Sequence, residues 1–371
     1  MPVTLKQVAE HTQLSIPTVS EILNNKSNRL YRSETRSRVL AMARQLGYRP
    51  NGNARSIKSG RFGSIALLQS SMEHRSYLPN SLLNSICQVL NEKELLLTLA
   101  SVSDEQLADQ NFIPQILRIL SVDGLLINYN AGFPERLIDL VRRYRIPSVW
   151  INAKPGTDCF YPDDVTASRV ATEYLLELGH REIAFVDYSY GYRNETPVHY
   201  SDYDRCFGYA QAMQSAGLAP WEIRAETSLP MQNRYEFSLQ WLALPKRPSA
   251  VIVYTSANAL PIALAARTLG LQIPRDLSMI TFNDHVTDEL GMLVDTMVLP
   301  EAQMGRQAVH CLLEKVEDPN KVFPATAVAL DFQKGWTTAP PAPSALRPKV
   351  GVIRTRKTRR ARSGGSQETL A

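Results

Sequence analysis

Between Leu14 and Asn25 the chain reads "LSIPTVSEILNN", with Ser15, Thr18, Ser20, Glu21 and Asn24 falling along one short helical segment. Hydroxyls and amides presented from such a helix can meet phosphate oxygens or base edges. Glu21 stands on the outward face, where a helix built to meet DNA would favour Lys or Arg. A carboxylate only accepts hydrogen bonds, and the cytosine amino group is one of the few major-groove donors it can take. The alternative is an acid that faces water or is neutralised by a neighbouring Arg. Other chemistry-bearing patterns are sparse. No P-loop, nucleophile elbow, HExxH or carboxylate pair in a matching context is found, so no enzyme is expected. Cys87, Cys159, Cys206 and Cys311 are scattered without CxxC or metal-ligand spacing. They read as reduced thiols, and no metal or cofactor is expected.

The elements needed to position that helix are legible around it. Thr4 is placed to cap a first helix bearing Leu5, Val8 and Ala9. After the short turn "HTQLS", Ser15 caps the second, with Pro17 in its first turn where a missing N–H is tolerated. A third helix fits "SETRSRVLAMARQLGY": Ser33 as cap, Val39, Leu40, Ala43 and Leu46 on one face, Gly47 as the stop. "NGNARSIKSG" then reads as a linker or as a helix formed only on binding. From Ser64 short apolar runs ("SIALLQ", "LLLTLAS", "GLLINY", "SVWIN", "EIAFVDY", "AVIVYT", "SMITFN") alternate with helical patterns. That alternation predicts βαβ units with parallel sheets buried on both faces, in two α/β lobes. In "LGHREIAF", Gly179 ends a helix and His180–Arg181 begin a strand. After "GWTT" the composition turns Pro/Ala- and then Arg/Ser/Gly-rich, which predicts a disordered tail.

Charge is unevenly spread. Residues 1–61 hold eleven Lys or Arg against three Glu, and residues 337–371 hold eight against one. An overall charge of +5 therefore hides an acidic middle of −10 between two basic ends, the distribution of a chain whose ends meet a polyanion. The tail has two readings, a solvated terminus or an additional phosphate contact. No apolar run approaches the roughly 18 residues of a membrane span. The N-terminus lacks a signal-peptide layout, so a cytoplasmic, nucleoid-associated protein is expected.

Helix, tight turn, a helix carrying "TVS", a third helix and then "GYRPNGNAR" resemble the lactose/galactose repressor (LacI/GalR) family of bacterial transcription regulators. "DGLLI", "IPSVWIN", "LLELGHREIAFV", "RCFGYAQAMQSAGL" and "LGLQIPRDLSMITFND" resemble that family's effector-binding core, in order, from about Val3 to Leu330. The resemblance implies an all-α helix-turn-helix headpiece at 1–50 and a hinge at 51–61. It implies a two-lobed, periplasmic-binding-protein-like α/β core at 62–335, ahead of a disordered basic tail at 336–371. With three crossings between lobes, lobe one is placed at 62–160 and 290–322, and lobe two at 161–289 and 323–335.

Residue roles follow from the same resemblance. Ile16, Pro17 and Glu21 take base-reading positions, Thr18, Ser20 and Asn24 the adjoining polar ones, and Ser15 a phosphate contact. Thr4, Thr35 and Tyr48 complete the DNA-facing set. At the hinge, Asn51, Ala54, Arg55, Ile57 and Lys58 match. Ile57 replaces the family's Leu wedge, and Arg55 and Lys58 stand at minor-groove or phosphate positions. The effector set is Arg205, whose fork suits hydroxyls or a carboxylate, Asn283 at the usual Asp, Thr255 and Ser256 at an Asn-Asp pair, and Leu78 beside Tyr77. The expected protein is a homodimeric, sequence-specific repressor of a palindromic double-stranded operator. Its affinity would shift with a small-molecule effector, sugar-like or another metabolite, and it would have no membrane partner. Two alternatives remain: a regulator without an effector, whose core only dimerises, and a solute-binding protein.

Overall fold

Thr4 accepts the Gln7 N–H while the Gln7 side chain returns to the Thr4 N–H, a capping box that starts helix α1 (Leu5–Thr12). The computed structural model describes residues 3–24, 31–49, 60–72, 75–119, 121–189, 198–227, 229–286, 288 and 291–343. They fall into two units, residues 1–64 with 121–123, and the remainder.

In the first unit, Gln13 takes the left-handed conformation that closes α1, and Ser15 opens α2 (Ile16–Leu23). Helix α3 (Ser33–Leu46) ends at Gly47, whose φ of +68° favours a residue without Cβ. Its start differs from expectation. Ser33 lies inside the first turn, and Arg32 is the N-cap, without a side-chain cap, because the Arg32 carbonyl accepts the first helical N–H, from Arg36 at 3.1 Å. Val8, Ala9, Val19, Ile22, Val39 and Ala43 are buried where the three helices meet.

The second unit contains two six-stranded sheets. The first has the order β11-β5-β4-β3-β1-β2, from β1 (Ser64–Ser70), β2 (Leu96–Val102), β3 (Gly124–Asn128), β4 (Ser148–Ile151), β5 (Cys159–Pro162) and β11 (Thr326–Val328). The second has the order β12-β10-β9-β8-β6-β7. Its strands are β6 (Ile183–Asp187), β7 (Glu222–Arg224), β8 (Ala250–Val253), β9 (Ser278–Asn283), β10 (Asp295–Val298) and β12 (Asp331–Gln333). Strand β12 runs antiparallel to β10, while β6 pairs parallel with β7 and β8, and β9 with β8 and β10. Alternate residues of β6 and β8 feed opposite faces: Ala184, Val186, Val251 and Val253 enter one cluster, Ile183, Phe185, Ala250 and Ile252 the other. Burial on both faces is what the continuous apolar runs require. Among the described residues no helix is long and apolar enough to cross a membrane.

Helices α4 (Asn80–Glu92), α5 (Asp104–Ala108), α6 (Gln115–Arg118) and α7 (Glu135–Arg143) belong to the first-sheet lobe. Helices α8 (Asp164–Glu177), α9 (Tyr200–Ser215), α10 (Arg234–Leu242) and α11 (Ala259–Thr268) belong to the second, and α12 (Glu301–Glu317) returns to the first, against α4, β3 and β4. Two lobe boundaries differ from those expected. Residues 290–322 were placed wholly in lobe one, yet β10 lies in the second sheet, with Asp295 opposite Ile280 and Thr296 fully buried. Residues 323–335 were placed in lobe two, yet β11 pairs with β5 in the first sheet. Backbone hydrogen bonding decides both: a short strand joins whichever ladder leaves its N–H and C=O groups satisfied.

The tail expected to be disordered from 336 is ordered at its start. The Thr337 hydroxyl donates to the Met279 carbonyl at 2.7 Å and accepts the Asp295 N–H at 2.9 Å, and Thr337 is fully buried. Ala339 N–H donates to Ser278 Oγ, and the Ala339 carbonyl meets His180 Nε2 at 2.8 Å. His180 is 1% exposed and precedes β6 rather than beginning it, so its ring is a buried tie between helix end, sheet and tail, beside an exposed Gly179. Residues 344–371 lie outside the described set. Thr337→Val removes the hydroxyl and strands the buried Asp295 N–H. A loss of about 2 kcal/mol is expected by urea denaturation, and a loss below about 0.5 kcal/mol would mean the tail does not hold the sheet through this group.

Candidate functional site

Two constellations emerge, one in each unit. On α2, Ser15 Oγ accepts the Thr18 N–H and lies 2.8 Å from Thr18 Oγ1, so both hydroxyls serve the cap. A capping hydroxyl keeps a second lone pair, so the phosphate role and the cap are compatible. Ser15, Ile16, Pro17 and Glu21 are exposed, and Ile16 at 44% is a large apolar side chain with no structural need to face water. Thr18, Ser20 and Asn24 are half-buried. Asn24 Nδ2 donates to the Ser20 carbonyl at 2.7 Å, closing the helix end. Thr4 is engaged in its capping box, and Thr35 is half-buried in α3. Tyr48 packs on the three-helix core, where burial raises its pKa. The hinge residues Asn51, Ala54, Arg55, Ile57 and Lys58 lie outside the described residues.

Glu21 on α2 has a partner that sequence reasoning missed. The Tyr31 hydroxyl donates to Glu21 Oε2 at 2.6 Å, and this bond to a carboxylate raises the phenol's pKa. A neutral phenol fixes the carboxylate without cancelling its charge, unlike the neighbouring Arg considered from sequence. The only signal available in sequence was an aromatic residue two positions before α3, which reads equally well as a core residue.

In the second unit Arg205 is 6% exposed. Its Nε donates to Asp164 Oδ1 at 2.7 Å, and its Nη1 donates to the Tyr254 carbonyl at 2.7 Å. Its guanidinium lies 4.3 Å from the centroid of the Phe282 ring. Gly208, one turn along α9, makes this possible, because a Cβ there would lie 2.1 Å from the Val165 carbonyl oxygen. Close contact of α9 with the start of α8 carries Arg205 onto Asp164. Burial pushes the Asp164 pKa up, and Arg205 pulls it back; Asp164 Oδ2 has no hydrogen-bond partner among the described residues.

Around this pair the lobes meet through several contacts. Tyr77, 60% exposed, donates from its hydroxyl to Asp284 Oδ2 at 3.2 Å. Tyr77, Leu78, Pro79, Asp284 and His285 line a cleft of about 370 Å³. Tyr200 donates to Asn152 Oδ1 at 2.7 Å, and Lys154 forms an ion pair with Asp204 while its ammonium lies 4.4 Å from the Tyr200 ring centroid. His199 donates from Nε2 to the Asn152 carbonyl, and burial drives its pKa down to about 4, leaving it neutral at physiological pH. Of the expected effector set, Arg205 is an internal anchor, Tyr77 and Leu78 line the cleft, and Asn283 Nδ2 reaches His285 Nε2 at 3.5 Å. Thr255 and Ser256 open a short 3₁₀ turn beside Tyr254. Arg205→Leu should cost about 3–5 kcal/mol, because Asp164 is left buried and unpaired. Adding Asp164→Leu should restore much of it. Urea denaturation of the four proteins gives the coupling, and purely additive losses would mean the pair is not the link.

Comparison with known proteins agrees with this architecture. The description "Bacterial regulatory proteins, lacI family" matches residues 4–51, and "Periplasmic binding protein-like domain" matches residues 172–330. The chain is 28% identical over 321 residues to the HTH-type transcriptional repressor PurR of Klebsiella pneumoniae (strain 342), covering 84% of this chain and 90% of that one. It is 29% identical over 331 residues to PurR of Shigella sonnei (strain Ss046), with coverages of 86% and 93%. The fold superposes on a crystal structure of the Lac repressor dimer bound to operator and the anti-inducer ONPF with a TM-score of 0.74 at 21% identity, over 91% of this chain and 100% of that one. A lacI-type headpiece followed by a two-sheet core is one continuous pattern over most of the chain, similar to the bacterial regulators of the lacI family.

Proposed function

We propose that the protein is a DNA-binding transcription regulator, acting as a homodimeric repressor in the cytoplasm and not as an enzyme, whose operator affinity shifts when a small molecule binds the cleft. The observation that carries this is α2, which turns Ser15, Ile16, Pro17 and Glu21 outward from a strongly basic segment, in a chain that also builds a two-lobed cleft. The named functions of the PurR relatives and the operator-bound Lac repressor dimer support the same reading. Coupling is by linkage. A ligand preferring the lobe arrangement that misplaces the hinge weakens DNA binding by its differential affinity, and one preferring the competent arrangement strengthens it. The engagement of Arg205 by Asp164 and Tyr254 favours a second reading, a regulator whose core only dimerises.

For Glu21 we infer cytosine readout, with Tyr31 as the residue that positions it. The phenol occupies Oε2 and leaves the other oxygen to accept from a base amino group. Ile16 and Pro17 offer apolar surface to a thymine methyl.

Selection from a randomised duplex library at near-physiological salt is the test. A two-fold palindrome with cytosine at one half-site position is expected, and tight salt-sensitive binding that enriches no motif would sink the reading. Glu21→Arg should move that position to guanine by about 1–3 kcal/mol. An unchanged motif would remove Glu21 from readout. Tyr31→Phe keeps the ring's packing and removes the donor, so cytosine preference should fall about fivefold while the rest of the motif persists. Equal loss at every position would mean that Tyr31 acts only on stability.

A further inference from the structure

Where the chain leaves β10 and enters α12, Glu301 is 3% exposed, and among the described residues its Oε2 has no hydrogen-bond partner. Strand pairing brings it towards the cleft: Val298 lies opposite Asn283 and the Leu299 N–H donates to the Asn283 carbonyl at 2.8 Å, so α12 starts beside the Asp284 loop, where Glu301 feels the charges of Asp284, Asp164 and Arg205. The cations nearby are already matched: Arg205 with Asp164, and Lys154 with Asp204. Asp284 takes the Tyr77 hydroxyl and stands beside His285, but among the described residues neither it nor Glu301 is ion-paired to a Lys or Arg. A buried, unpartnered carboxylate oxygen next to a second acid is costly unless something positive or hydrogen-bonding meets it.

We propose that the effector of this cleft carries a protonated amine, held by Glu301 and Asp284; the inference rests on the effector-binding role proposed above. A neutral polyol could hydrogen-bond to Glu301 in its protonated form, but only an ammonium lets Glu301 ionise and gives Asp284 a cationic partner as well. Elsewhere between the lobes one ammonium is already held in the same manner, with Lys154 Nζ beside Asp204 and 4.6 and 4.4 Å from the Tyr161 and Tyr200 ring centroids. The space beside Tyr77 and Asp284, about 370 Å³, suits a small aliphatic amine or an amino sugar.

Glu301 itself holds a proton where an ammonium would donate. Burial, then the carboxylates of Asp284 and Asp164, push the Glu301 pKa up to about 8 against the opposing pull of Arg205, so at pH 7 the acid is mostly neutral. The N-terminal end of α12 favours the ionised form. When an ammonium enters, Glu301 ionises, its proton passes to solvent, and the ammonium N–H groups donate to the carboxylate.

The test uses the full-length protein and two matched probe pairs, glucosamine against glucose and 1,4-diaminobutane against 1,4-butanediol, at pH 7. Thermal shift and titration calorimetry in phosphate and in HEPES should show saturable binding of an amine, accompanied by proton release, and no binding of its alcohol partner. Glu301→Gln should weaken amine binding about 10- to 100-fold and abolish the proton release. Asp284→Asn provides a second variant if Glu301→Gln fails a check of folding by circular dichroism. Equal binding of amine and alcohol, undiminished binding in both variants, or no binding by either amine would overturn the proposal. Saturable binding of a neutral probe that shifts operator affinity would leave the effector reading standing without the amine. Silence of all four probes, followed by silence of a broad metabolite panel, would remove both.

Discussion

The buried ion pair between Arg205 and Asp164 organises the second lobe at the cleft. A guanidinium at 6% exposure is stable only where its donors are met, and meeting them requires α8 and α9 to touch. Gly208 permits that contact, since any Cβ would enter the space of the Val165 carbonyl. Arg205 then also holds the end of β8 through the Tyr254 carbonyl and lies against Phe282 at the end of β9. Thr255, Asn283 and Asp284 follow directly on those two residues, so the cleft loops inherit their positions from a single charge. Such a pair adds little net stability against an apolar substitute, but removing one partner is expensive. Its role is therefore to specify geometry.

The contacts that join the lobes are of another kind. Among the described residues these include Tyr77 to Asp284, Tyr200 and His199 to Asn152 and Lys154 to Asp204, and each hydrogen bond contributes about 0.5–1.5 kcal/mol net. An interface built from a handful of such contacts can be biased by the binding energy of one small molecule. The polypeptide crosses between the sheets after β5, after β10 and after β11, so a change in lobe arrangement is carried by three connections rather than one hinge.

In the headpiece a core of six buried residues orients three helices, and the outward face of α2 is left free to vary. Glu21 and Tyr31 use that freedom together. An acid on a helix that meets phosphate is repelled by it, and a fixed acid can recover specificity where a freely rotating one would only lower affinity. The phenol restricts the rotamer while leaving the charge in place.

Local physics was legible from the residues. Thr4, Ser15 and Gly47 mark helix ends because their side chains, or the lack of one, satisfy or release particular backbone groups, and the apolar runs announce strands covered on both faces, except at β2, whose Leu96 and Leu99 are exposed. What escaped depends on partners distant in sequence. Strand β10 belongs to the second sheet and β11 to the first, since three- or four-residue strands carry no mark of the ladder they will join. Thr337 looked like the start of a disordered tail because nothing nearby reveals that Met279 and Asp295 await its hydroxyl. Glu301 and Asp164 read as ordinary surface acids beside helix starts. The sequence by itself determined the elements, their alternation and the family pattern, which rest on interactions within a few residues. Only the tertiary structure decided which acids are buried, which cations are already paired and which phenol steadies Glu21, because charge compensation is settled by distances in space that spacing along the chain does not encode.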